Sequence, residues 1–129
     1  MNQNIIAVLL IIGAVVVSGF LIFSGSNDST SQIQNNLSTV DGKQIITINA
    51  KGGYYPKITN AKANTPTVLR MITDGTFDCS SSLVIRDIGY TQNLPSTGQT
   101  DIEVPLNKTT GTLQGLCSMG MYGFQIKFN

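Results

Sequence analysis

The chain has 129 residues, a formal net charge of +1, 12% charged residues and no histidine. That length allows one domain of ordinary size and little more. Lys and Arg are scattered, which excludes the electrostatic footprint of a nucleic-acid binder. Without His, a Ser–Lys arrangement or paired carboxylates, hydrolytic and transfer catalysis lack a base, so a non-enzyme is expected.

Residues 5–23, IIAVLLIIGAVVVSGFLIF, carry no charge, and Ser18 is their one polar side chain. As a helix rising about 1.5 Å per residue, the run matches a bilayer core of about 30 Å. Residues 1–24 are therefore expected to be a single transmembrane helix contacting membrane lipid. A cleaved signal peptide is the alternative, but the run exceeds a usual signal core and no A-x-A site follows it. No Lys or Arg precedes the run and the first after it is Lys43, so charge gives little guide to orientation. The expectation is a cell-membrane protein with its large domain outside the cytoplasm, as a simple signal anchor would deliver it.

Residues 25–43 are rich in Ser, Asn, Gln, Thr and Asp and read as a flexible polar linker. Ile33, Leu37 and Val40 sit at helical spacing, which leaves a short amphipathic turn open. Asn27-Asp28-Ser29, Asn36-Leu37-Ser38 and Asn107-Lys108-Thr109 match the glycosylation acceptor pattern, which matters only in a eukaryotic secretory host.

From Gln44 onward the chain turns to short β-like runs between turn clusters. QIITINA opens the domain and GGYYP closes that run. In PTVLRMITD, Val68, Arg70 and Ile72 alternate with Leu69 and Met71, which places Met71 in the core. SLVIRDIG follows, then the turn-rich YTQNLPSTGQT, then DIEVPL with Ile102, Val104 and Leu106 on one face. GTLQGLC and YGFQIKFN end the chain, the latter with Phe124, Ile126 and Phe128 on one face. About seven short strands without a convincing helix predict an all-β Greek-key sandwich or barrel over 44–129. A core of this size gains usefully from a disulfide or a bound metal.

The chemistry concentrates in sulfur. Cys79 lies in DGTFDCSSSLVI, approaching a strand, and Cys117 lies in GLCSMGMYG, followed at alternate positions by Met119 and Met121. One reading pairs Cys79 with Cys117 as a structural disulfide, as is common in small extracytoplasmic domains. It leaves the two methionines unexplained. Thiolate and thioether are soft donors and favour Cu(I), whereas Zn(II) usually completes its site with more Cys, His or carboxylate. Neutral thioethers also add donors without negative charge, which suits a monovalent ion. Asp74, Asp78 and Tyr55 could lie nearby, although a turn role suits each.

The order GGYYPKI, CSSSLVI, NLP and CSMGMYGFQIKF resembles a cupredoxin over residues 44–129, with CSMGMYGFQIKF its most specific part. Blue-copper cupredoxins use two His, one Cys and a weak axial Met. Here Cys79 and Met stand where His would be expected, which counts against a blue-copper electron carrier. The pattern is similar to the cupredoxin-like Cu(I)-binding domains of membrane-anchored copper chaperones and of copper-exporting P-type ATPases. The resemblance implies a tighter bis-thiolate pair from Cys79 and Cys117, with Met119 and Met121 as thioethers for the same copper or for a second, more exposed ion. It implies a chaperone or scavenger that passes one or two Cu(I) ions to a copper-transporting ATPase or another acceptor. The competing function is a membrane-anchored structural or interaction sandwich stapled by Cys79–Cys117.

Overall fold

The computed structural model describes residues 36–129, which form two β-sheets packed face to face with no α-helix. The strands are β1 (Leu37–Val40), β2 (Lys43–Ala50), β3 (Tyr54–Tyr55), β4 (Ile58–Ala61), β5 (Thr67–Thr73), β6 (Ser82–Ile85), β7 (Tyr90–Asn93), β8 (Gly98–Val104), β9 (Gly111–Cys117) and β10 (Gly123–Phe128). One sheet runs β1-β2-β5-β8, with β3 paired to the far end of β2; the other runs β4-β10-β9-β6-β7. The chain changes sheet between β3 and β4, between β4 and β5, between β5 and β6, between β7 and β8, and between β8 and β9. These crossings make β2 and β5 parallel neighbours, and likewise β4 and β10, while the remaining pairs are antiparallel.

Alternation along the strands builds the core. Ile46, Ile48 and Ala50 of β2 and Leu69 and Met71 of β5 are fully buried, facing Leu113 of β9 and Phe124 and Ile126 of β10. Each large aliphatic or aromatic side chain moved out of water this way contributes about 1.5–3 kcal/mol before entropy is counted. Val68, Arg70 and Ile72 turn to the other face, as the sequence period predicts. There Arg70 makes a paired contact with its cross-strand neighbour Asp101, Nε to Oδ1 at 2.8 Å and Nη2 to Oδ2 at 2.9 Å. That contact holds the Asp101 carboxyl below its ordinary pKa. Buried Gln44 is fully used: its Nε2 donates to Lys62 O (2.6 Å) and Thr67 Oγ1 (2.8 Å), and its Oε1 accepts from Lys62 N (3.0 Å).

Three local expectations change. The sheet starts at Leu37, inside the stretch expected as linker, because β1 pairs along β2 from Leu37 opposite Ile46 to Val40 opposite Lys43. Leu37 and Val40 thus belong to a strand rather than a helical turn. Tyr90–Asn93, within the expected turn, forms β7 against β6. Ile102 and Val104 are buried together, but Leu106 is 55% exposed, because the chain leaves β8 at Pro105 and enters a short 3-10 turn. The anchor expected at 1–24 and the linker up to residue 35 lie outside the described residues. Among the described residues, no helix is long and apolar enough to cross a membrane.

Candidate metal centre

Cys79, in the β5–β6 connection, and Cys117, at the end of β9, come together in the structure. Cys117 closes β9, where it pairs with buried Leu83 of β6. Gly115 sets the path of β9, since a Cβ there would fall 2.3 Å from the ring of Phe124. Beyond Cys117 the chain reverses: Gly120 N donates to Cys117 O (2.8 Å), Gly120 adopts φ +73°, and Cys117 N donates to Tyr122 O (3.0 Å). A left-handed φ of this kind is cheap for glycine and strained for other residues. The result is a hairpin tip carrying Ser118, Met119, Gly120 and Met121.

Cys79 begins a 3-10 turn, Cys79–Ser81, in the β5–β6 connection. Asp78 caps that turn: Oδ1 accepts from Ser80 N (2.8 Å) and from the Ser80 hydroxyl, while Oδ2 accepts from Gly52 N (2.8 Å). These bonds, the Ser80 hydroxyl first, hold the Asp78 carboxyl below its ordinary pKa. Asp78 therefore has the turn role its sequence context suggests. Upstream, Thr76 Oγ1 donates to Ala50 O (2.5 Å) and Thr76 N donates to Ser96 O (2.8 Å). Below the turn, buried Tyr54 donates its hydroxyl to Ser80 O (3.0 Å) and stacks edge-on against Phe124, ring centroids 5.2 Å apart. Burial, followed by the Asp78 charge, raises the Tyr54 phenol well above its ordinary pKa and keeps it a donor.

The two cysteines, 38 residues apart in sequence, are joined as a disulfide with their Cα atoms 5.7 Å apart. Cys117 is 2% exposed; Cys79 is only partly buried. Tyr122 N donates to Cys117 Sγ at 3.4 Å. On reduction the same backbone presents two thiol sulfurs side by side.

Met119 and Met121 stand on the tip, 76% and 63% exposed. They line separate depressions. Met119 borders one of about 190 Å³ beside Val84, Leu116 and Arg86, on the side of the sheet away from the core face that holds Cys117. Met121 borders one of about 180 Å³ with Tyr54, Tyr55, Lys57 and Tyr122. Alternate residues share a face in a strand, but residues 118–121 lie in the turn between β9 and β10, and these two border different depressions. Among the described residues no group of three or more His, Cys, Asp or Glu could hold a metal ion. Two cysteine sulfurs with thioethers on the adjoining tip make a donor set that fits a soft monovalent ion better than zinc. Sequence reasoning missed Phe77, 85% exposed two residues before Cys79, and the Tyr122 N–H on Cys117. No residue pattern marks either, since both follow from loop geometry.

No family model matches the chain, and no curated protein matches it. Solved structures do. A copper-binding protein in the apo form, determined in solution, superposes with a TM-score of 0.63 at 23% identity, over 72% of this chain and 94% of that one. The metal-binding domain of the Cu(I)-exporting P-type ATPase CopA from Streptococcus pneumoniae D39, with Cu(I), gives a TM-score of 0.63 at 19% identity, over 72% and 92%. The described residues therefore have the β-sandwich fold that these two copper-binding domains share.

Proposed function

We propose that this chain is a membrane-tethered Cu(I)-binding protein, a chaperone or scavenger that hands copper to a copper-transporting ATPase or another acceptor. The observation that carries the reading is the apposition of Cys79 and Cys117 directly beneath an exposed tip bearing Met119 and Met121. Two thiolates hold Cu(I) most firmly, and a thioether completes the site without adding charge. Met119 and Met121 at the tip would supply thioethers for the same ion or for a second, more exposed one. A graded set of this kind suits transfer, because an incoming thiolate displaces the weaker thioether first. Residues 1–24 would hold the domain at the membrane, outside the cytoplasm, and the protein would act by carrying an ion rather than as an enzyme. The likeness in fold to a domain of a Cu(I) exporter supports a transporter as acceptor.

Competition between the reduced protein and a chromophoric Cu(I) chelator tests the proposal. Stoichiometric capture of copper that Cys117→Ser abolishes is expected; no capture, or full affinity in Cys117→Ser, overturns it.

The disulfide itself favours a second reading, a membrane-anchored interaction sandwich stapled by Cys79–Cys117. Counting free thiols in protein isolated without reductant separates the two. A fully oxidised pair that resists reduction favours the staple, and two titratable thiols favour copper.

A further inference from the structure

We infer that Cys79 is a modification site: the sulfur at which a small thiol or dithiol reductant attacks to open the Cys79–Cys117 disulfide. The two sulfurs of the bond are unequal. Cys117 is 2% exposed at the end of β9, with Leu83 opposite it and the hairpin tip folded over it. Cys79 is only partly buried and starts an external turn. Thiol–disulfide exchange needs a thiolate to reach one sulfur along the bond, with the other sulfur leaving. Of the two residues, Cys79 is the one with appreciable solvent exposure, so approach from its side is favoured.

The leaving side is prepared as well. Tyr122 N–H already points at Cys117 Sγ, the atom that receives the electron pair when the bond breaks. A backbone donor aimed at a developing anion stabilises it more than the neutral sulfur before it. Beside Cys79, the N–H groups of Gly52 and Ser80 are instead bound to Asp78. Access and leaving-group stabilisation therefore select the same direction of cleavage.

A reductant thiolate forms a bond to Cys79 Sγ, the Cys79–Cys117 bond breaks, and Cys117 leaves as thiolate. A second reductant thiolate then attacks the reductant sulfur of the mixed disulfide and releases Cys79 as thiolate. The reductant departs oxidised by two electrons, and the protein holds both thiolates. The consequence for metal loading rests on the proposed function: the disulfide form lacks the two thiolates, so reduction through Cys79 would precede copper uptake.

The test needs no copper. The oxidised full chain is treated briefly with 2-mercaptoethanol, quenched in acid, then denatured and alkylated, and the peptides are mapped by mass. The mercaptoethanol adduct is expected on Cys79 with the alkyl group on Cys117, in excess over the reverse product by at least about tenfold. In parallel, folded Cys117→Ser, which retains Cys79, is expected to be alkylated at least about tenfold faster than folded Cys79→Ser. Adduct chiefly on Cys117, equal adducts, a bond that never yields to the thiol, or a chain isolated without the disulfide would each overturn the inference. Correct mapping in a protein that binds no Cu(I) would instead leave this inference standing and remove the copper function.

Discussion

The ring of Phe124 lies against the Cα of Gly115, its cross-strand partner, so closely that a Cβ on Gly115 would come within 2.3 Å of two ring carbons. The same ring receives the edge of Tyr54, whose hydroxyl holds the carbonyl of Ser80 one residue after Cys79. The sulfur end of the domain therefore rests on an aromatic pair that itself depends on a missing side chain.

Gly115→Ala is expected to force Phe124 or β9 to move. Overpacking of this kind costs about 1–3 kcal/mol. Urea denaturation would show a lower midpoint. An unchanged midpoint would mean that the ring has room the structure does not show.

Tyr54→Phe keeps the ring contact and removes the donor to Ser80 O, leaving a buried carbonyl unpaired. A loss of about 1–3 kcal/mol is expected, with weaker Cu(I) retention as the Cys79 turn loosens. Thermal denaturation and chelator competition on one preparation would check both effects.

Reducing the disulfide frees a closed loop of nearly forty residues, for which chain entropy gives a loss of about 4 kcal/mol. Melting of the reduced protein should fall well below that of the oxidised protein. Added Cu(I) should restore much of the difference, because an ion bridging the two thiolates closes the same loop and binds only the native state. A melting temperature indifferent to Cu(I) would count against a bis-thiolate site.

The two methionines should matter for copper and little for folding. They border different depressions and both are largely exposed. Changing both to Leu is expected to weaken Cu(I) retention in chelator competition, while neither change alters folding stability by more than about 0.5 kcal/mol. Unchanged copper retention in the double variant would contradict a thioether role.

The legible parts of the fold are the strands with one buried face. Ile46 and Ile48, Leu69 and Met71, and Phe124 and Ile126 each declare their strand by period. The edge strands do not: Leu37–Val40 and Tyr90–Asn93 are mostly exposed, so neither shows an apolar alternation, and polar edge strands look like loops. Leu106 misleads because it continues the period of β8 past Pro105, where the strand has ended. At the candidate site the four sulfurs stand out by residue type and the absence of histidine. That Met119 and Met121 border different depressions could not be read from spacing, because they lie in a turn and not in a strand.

The most direct measurement is copper K-edge X-ray absorption on the anaerobically reduced protein after loading with Cu(I). An edge characteristic of Cu(I) is expected, with a first shell made only of sulfur that Cys117→Ser depletes. A first shell of nitrogen or oxygen, or no copper retained after desalting, would contradict the proposed copper site.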